Sequence, residues 1–217
     1  MKNRWVFITC GFVSIVTFFG IVTVVDAATI PGSAVQATHA VVQQAKSVFT
    51  KTAEVTATGK VYKDNKIGFK ITLPTGWKKS TPTDATTIFL ATKGTTAVIA
   101  LNATPYVTQK EANDVQKALT TKPKAFAKAV LAELQSAYTT CTFSSAKKRT
   151  IGKRTGAEGV INCTFEGKTY TMSYFSFVRS RTQYTFATGA LKSKFPSLKT
   201  EYDSIMASIS FFTPTSS

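Results

Sequence analysis

Histidine is almost missing from this chain: His39 is the only one in 217 residues. A Ser-His-Asp triad, a Cys-His dyad and a histidine-based zinc site each need an imidazole, so all three lose their central group unless residue 39 supplies it. Carboxylates are scarce too, 11 Asp and Glu against 27 Lys and Arg. They stand singly along the chain, and nothing in their spacing pairs two of them for acid–base work or sugar cleavage. No glycine-rich phosphate loop of the Walker or Rossmann kind is present, and no S-x-x-K stands in a persuasive setting. No catalytic residue, metal ligand or cofactor is therefore assigned. A secreted hydrolase of unrecognised type stays as an alternative, to be favoured by two carboxylates meeting in a deep pocket or a nucleophile beside a lysine.

What is present begins with positive charge, a formal net of +16. Such a surface draws anionic partners: acidic proteins, envelope polymers, lipid head groups or nucleic acid. With 43% hydrophobic and 12% aromatic residues the chain can still build a core. Part of that apolar content lies at the start. Lys2 and Arg4 precede an uncharged run from Trp5 to Val25, and Val25-Asp26-Ala27 offers small or aliphatic residues where signal peptidase inspects. Residues 1–27 are expected to be a signal peptide cleaved after Ala27. The run is also long enough to span a bilayer, so an uncleaved N-terminal membrane anchor is the alternative. Both place the rest of the chain outside the cytoplasm.

Residues 28–59 form an Ala/Thr/Gln-rich extension carrying His39. Val41, Ala45, Val48 and Phe49 recur at helical spacing, which suggests a helix over 33–51 or else a stalk. The folded domain is expected over 60–212, followed by a polar tail, 213–217. Cys10 lies in the leader, leaving Cys141 and Cys163 as a pair in an oxidising compartment. Gly152 stands midway between them. A hairpin folded about it sets the two thiols opposite each other, within reach of a disulfide.

Periodicity gives the elements between. Strands are expected over 67–73, 87–91 and 96–103. Thr108-Gln109-Lys110-Glu111 is a capping box opening a helix to Leu119, and Pro123 starts a second helix, 123–138, with Phe126, Val130 and Leu134 on one face. A meander follows: strands 139–146, 155–165, 168–178 and 182–188, the third apolar on both faces and so central. A last helix from Pro196 turns Leu198, Tyr202, Ile205, Met206 and Ile209 inward.

The stretch Ile67-Gly68-Phe69-Lys70-Ile71-Thr72-Leu73-Pro74-Thr75-Gly76-Trp77, with the closing segment from Tyr202 to Phe211, resembles the PsbP-like superfamily, which includes DcrB. The resemblance implies an exported α+β domain, an α/β/α sandwich with helices packed on both faces of an antiparallel sheet. It also implies an accessory or partner-binding role without enzymatic activity. No metal or photosystem contact carries over, because no residues here match one.

In an up-and-down meander alternate turns lie at the same end of the sheet. Lys147, Lys148, Arg149, Lys153 and Arg154 crowd the first turn region, and Arg179 and Arg181 flank the third. These seven cations are expected on one rim, facing an anionic protein or envelope surface, with Arg supplying planar forks for carboxylate or phosphate. Solubility alone would also explain cations in turns. Nucleic acid is the less favoured partner. Tyr170, Tyr174, Phe175, Phe177, Tyr184 and Phe186 read as core rather than as a stacking surface. The sequons Asn102-Ala103-Thr104 and Asn162-Cys163-Thr164 read as chance.

Overall fold

The computed structural model describes residues 60–82, 86–137, 140–165 and 167–214. The leader 1–27, the extension 28–59 with its expected helix and His39, and the end of the tail lie outside the described residues. Among the described residues no helix is long and apolar enough to cross a membrane.

Among the described residues ten strands and three helices follow one another as β1 (Lys60–Asp64), β2 (Phe69–Leu73), β3 (Lys78–Ser80), β4 (Thr87–Lys93), β5 (Ala97–Pro105), α1 (Gln109–Thr121), α2 (Pro123–Ala137), β6 (Cys141–Ile151), β7 (Arg154–Phe165), β8 (Lys168–Arg179), β9 (Thr182–Leu191), α3 (Phe195–Ser208) and β10 (Ser210–Phe211). Seven strands make one antiparallel sheet in the order β3-β4-β5-β9-β8-β7-β6, and β1-β2-β10 make a smaller one. The fold is the expected α+β arrangement. The far face carries α3 together with the small sheet, an addition to the expected layers.

Alternation along the strands builds two cores. Leu90, Val98, Ile161, Met172 and Tyr174 face α1 and α2, where Leu119, Phe126, Val130 and Leu134 close over them. Phe89, Ile99, Leu101, Phe175 and Phe186 face the other way, toward Leu198, Tyr202, Ile205 and Met206 of α3 and Ile71 and Leu73 of β2. Strand β8 is buried on both sides, as expected of a central strand. Its Tyr174 ring lies against Gly159, where any Cβ would come within 2.4 Å of the ring. The capping box forms in full: Glu111 N–H donates to Thr108 Oγ1 at 3.2 Å, and Thr108 N–H donates to the Glu111 carboxylate at 3.0 Å.

Two expected boundaries move by three residues or more. Residues 147–154 do not form a turn. Lys147, Lys148 and Arg149 extend β6, and the turn is only Gly152-Lys153, with Gly152 at φ +59°. An edge strand tolerates cations, so their charge masked the strand. Strand β9 runs past Gly189 to Leu191 because β5 and β8 pair with it on both sides. In β6 a bulge at Ser144 separates the pair Phe143↔Ile161 from Ser145↔Val160.

Candidate functional site

The β6–β7 and β8–β9 turns emerge at the same end of the large sheet, as the meander requires. Arg154 opens β7 and Arg179 closes β8. Continued past its last pair, Ala157↔Ser176, the register sets these two residues opposite each other. They share the face occupied by Phe177, Tyr184 and Phe211, whose rings cluster, with Phe177 and Tyr184 centroids 5.6 Å apart and Tyr184 and Phe211 4.4 Å apart. The Arg154 guanidinium lies 5.5 Å from the Phe211 centroid and 5.5 Å from that of Phe177, and Arg179 lies 5.1 Å from Phe211. Both cations thus use the negative face of one aromatic ring. Arg154 also donates to the Ile209 carbonyl.

No carboxylate among the described residues pairs with either arginine. Burial, and after it the nearby Arg179, pushes the Arg154 guanidinium below its ordinary value. Desolvation and a neighbouring like charge both disfavour the charged form. Together with Lys153, Gly152, Phe177, Ile209 and Phe211 these groups line a cleft of about 780 Å³.

The other four cations of the expected rim go elsewhere. Arg149 donates to Glu158 and to Asp203 of α3, the latter at 2.9 Å, and Lys147 reaches Glu158 at 3.4 Å. Lys199 meets the same Asp203 at 3.0 Å. Hydrogen bonding to Asp203 raises Arg149, against burial, while the pairing with Glu158 adds to the rise. Burial alone would raise Asp203, but its bonds from Arg149 and Lys199 hold the carboxyl below its ordinary value. Arg149 and Lys147 thus belong to an ion-pair network tying the hairpin to α3. Lys148, next in the alternation, falls on the helical face and is exposed. Arg181 stands in the β8–β9 turn and donates to the Val107 carbonyl at 3.2 Å. The seven cations therefore divide into a cleft group, a paired group and two outliers.

Cys141 and Cys163 pair across the hairpin and are joined as a disulfide, Cα to Cα 4.1 Å. Asn102 is wholly buried and bonded to Thr86 and Thr87, so its sequon is closed to a glycan. Asn162 accepts from Thr171 on β8. The six aromatics from Tyr170 to Phe186 are all buried, as expected of core side chains. Among the described residues no group of three or more His, Cys, Asp or Glu could hold a metal. The carboxylates Glu158 and Asp203 are both held by Arg149, and Lys147 and Lys199 supply further charge against them.

Sequence reasoning missed Phe211 and β10. A two-residue strand has no period to detect, and Phe211 entered only as the end of the closing segment that resembles the PsbP-like superfamily. It also missed the partner of Trp77: the indole donates to Glu201 at 2.7 Å, and Lys93 meets the same carboxylate at 2.7 Å. That network anchors α3 over β4.

No family model matches the sequence, and no curated protein sequence matches it. Solved structures do. The chain is similar to cyanobacterial PsbP (CyanoP) from Synechocystis sp. PCC 6803, at 14% identity over 72% of this chain and 94% of that one, with a TM-score of 0.50. It is similar to LpqN of Mycobacterium tuberculosis, a protein involved in cell envelope biogenesis, at 11% identity, 70% and 90% coverage and TM-score 0.42. It is also similar to the Ran-binding protein Mog1p of Saccharomyces cerevisiae, at 8% identity, 72% and 96% coverage and TM-score 0.46. At these identities the likeness speaks for fold, and the fold is the PsbP-like one expected from Ile67–Trp77 and Tyr202–Phe211.

Proposed function

We propose that the chain is an exported accessory module without catalytic chemistry, which holds an anionic protein partner in the cleft at the hairpin tips. The observation that carries this reading is the pair Arg154 and Arg179, both within 5.5 Å of the Phe211 centroid and neither matched by a carboxylate among the described residues. Two guanidiniums kept side by side repel each other, and a fold that needed them only for packing would have neutralised them as it did Arg149. A carboxylate-bearing partner supplies the missing charge, and the planar forks favour bidentate contact. Export is supported by the leader pattern over 1–27 and by the buried disulfide, which belongs to an oxidising compartment.

A net charge of +16 attracts any polyanion, so the test compares positions. Full-length protein in non-ionic detergent is titrated with poly-glutamate at 0.15 M salt. Lys153→Gln, Arg154→Gln and Arg179→Gln together are expected to weaken binding at least tenfold, about 1.4 kcal/mol. Neutralising three exposed lysines elsewhere, Lys124, Lys128 and Lys168, is expected to change it less than threefold. Equal losses from the two sets would leave the cleft with no role.

A further inference from the structure

The form of the partner can be read from the small sheet, given the cleft reading above. Strand β10 has β2 on one side and, among the described residues, no strand on the other. Phe212 donates its N–H to the Gly68 carbonyl at 2.8 Å. Antiparallel pairs alternate between bonded and non-bonded. Phe211, one position back and opposite Phe69, therefore turns its N–H and C=O away from β2, and so does Ile209. The Ile209 carbonyl is the one that accepts from Arg154. The outward edge of β10 thus borders the cleft, with the Phe211 N–H and C=O forming half of an antiparallel bonded pair.

We propose that the cleft takes an extended acidic segment of a partner protein as a fourth strand against β10, with carboxylates at alternate positions directed to Arg154 and Arg179. Only an extended backbone offers both the acceptor and the donor that Phe211 lacks. Side chains two residues apart on such a strand lie on one face, about 6.5–7 Å from each other. A residue opposite Phe211 shares that side chain's face, where both guanidiniums lie within 5.5 Å of the ring. A phosphate polymer or a lipid head group could meet the arginines, but neither has a use for the strand edge.

Full-length protein in non-ionic detergent is titrated by fluorescence anisotropy with an end-capped peptide, Thr-Val-Glu-Val-Glu-Val-Thr. Two N-methylated versions block one backbone edge or the other, and a fourth peptide of the same composition sets its glutamates side by side. An added strand has one edge on β10, so one methylation pattern is expected to weaken binding at least tenfold and the other less than twofold. Adjacent glutamates are expected to weaken it about fivefold. These comparisons need no protein variant, so folding does not confound them. Arg179→Gln, at an exposed position, and the charge-keeping Arg154→Lys complete the set, with phosphatidylglycerol vesicles as a further probe.

If both methylated peptides bind like the parent, strand addition is wrong, while a loss with Arg179→Gln would still support the cleft reading. Arginine-dependent capture of vesicles without the peptide would likewise overturn the strand and keep the cleft. If neither arginine variant changes any binding, the cleft reading itself falls.

Discussion

Arg149 and Arg154 belong to one hairpin and point to the same face of one sheet, yet they live in opposite electrostatic surroundings. Two pairs back from the tip Arg149 meets Glu158 and Asp203, and its guanidinium is raised above its ordinary value. At the tip Arg154 meets two aromatic rings, a carbonyl and another arginine, and is lowered. The same residue type is cement in one place and an unmet charge in the other. Sequence position a few residues apart does not reveal which; the difference comes from what α3 presents. It offers Asp203 to Arg149, whereas beyond its end the chain offers Arg154 a carbonyl and Phe211.

The comparison can be strained from the stem upward. Replacing Cys141 and Cys163 by Ala removes the crosslink at the end of the hairpin away from the turn and should lower stability by about 3 kcal/mol in chemical denaturation, the loop-entropy value for a loop of this size. Tip binding should survive in the folded fraction. Arg149→Met leaves the buried Glu158 with Lys147 alone and takes one of two cations from Asp203. The expected loss is about 2 kcal/mol, less than the roughly 3–5 of a fully buried broken pair because Asp203 is partly solvated.

Arg179→Gln should do the reverse, changing stability by less than about 0.5 kcal/mol while weakening capture of the acidic peptide about fivefold. If Arg149→Met proved harmless to stability, or Arg179→Gln as damaging as it, the two regions would not differ in kind.

Acid sharpens the same contrast. Because the folded state holds the Asp203 carboxyl below its ordinary 3.8, its contribution is fully present above that value and fades as pH falls through the lower folded one. The loss of stability below about pH 4 should therefore be shallower in Asp203→Asn than in the parent, read as denaturation midpoints across pH 2–5. Binding at the tip, which uses arginines, should follow the partner's carboxylates instead.

Much of this fold was legible because its signals are local. The Thr108–Glu111 box, the Pro123 start and the Phe126–Val130–Leu134 face need only neighbouring residues to be read. The disulfide was found by folding about Gly152, although the turn is Gly152-Lys153 and the bulge at Ser144 makes up the difference. The cation group was legible only as a crowd. Its division depends on Asp203, 54 positions along from Arg149, and on Phe211, whose strand is too short to leave a pattern. Long-range pairings of single residues carry no periodicity, and here they separate a structural cation from a candidate binding one.

Ser144 has a consequence of its own. It is an extra tooth in a zip, and the side chains beyond it keep the opposite parity from the one the cysteines would dictate. Carried on from Cys141↔Cys163 without that tooth, the count would put Lys148 over α3 and swing Arg149 to the helical side, leaving Asp203 without its closest cation. The same kink interrupts the outermost strand of the large sheet, so its free edge is not one straight hem.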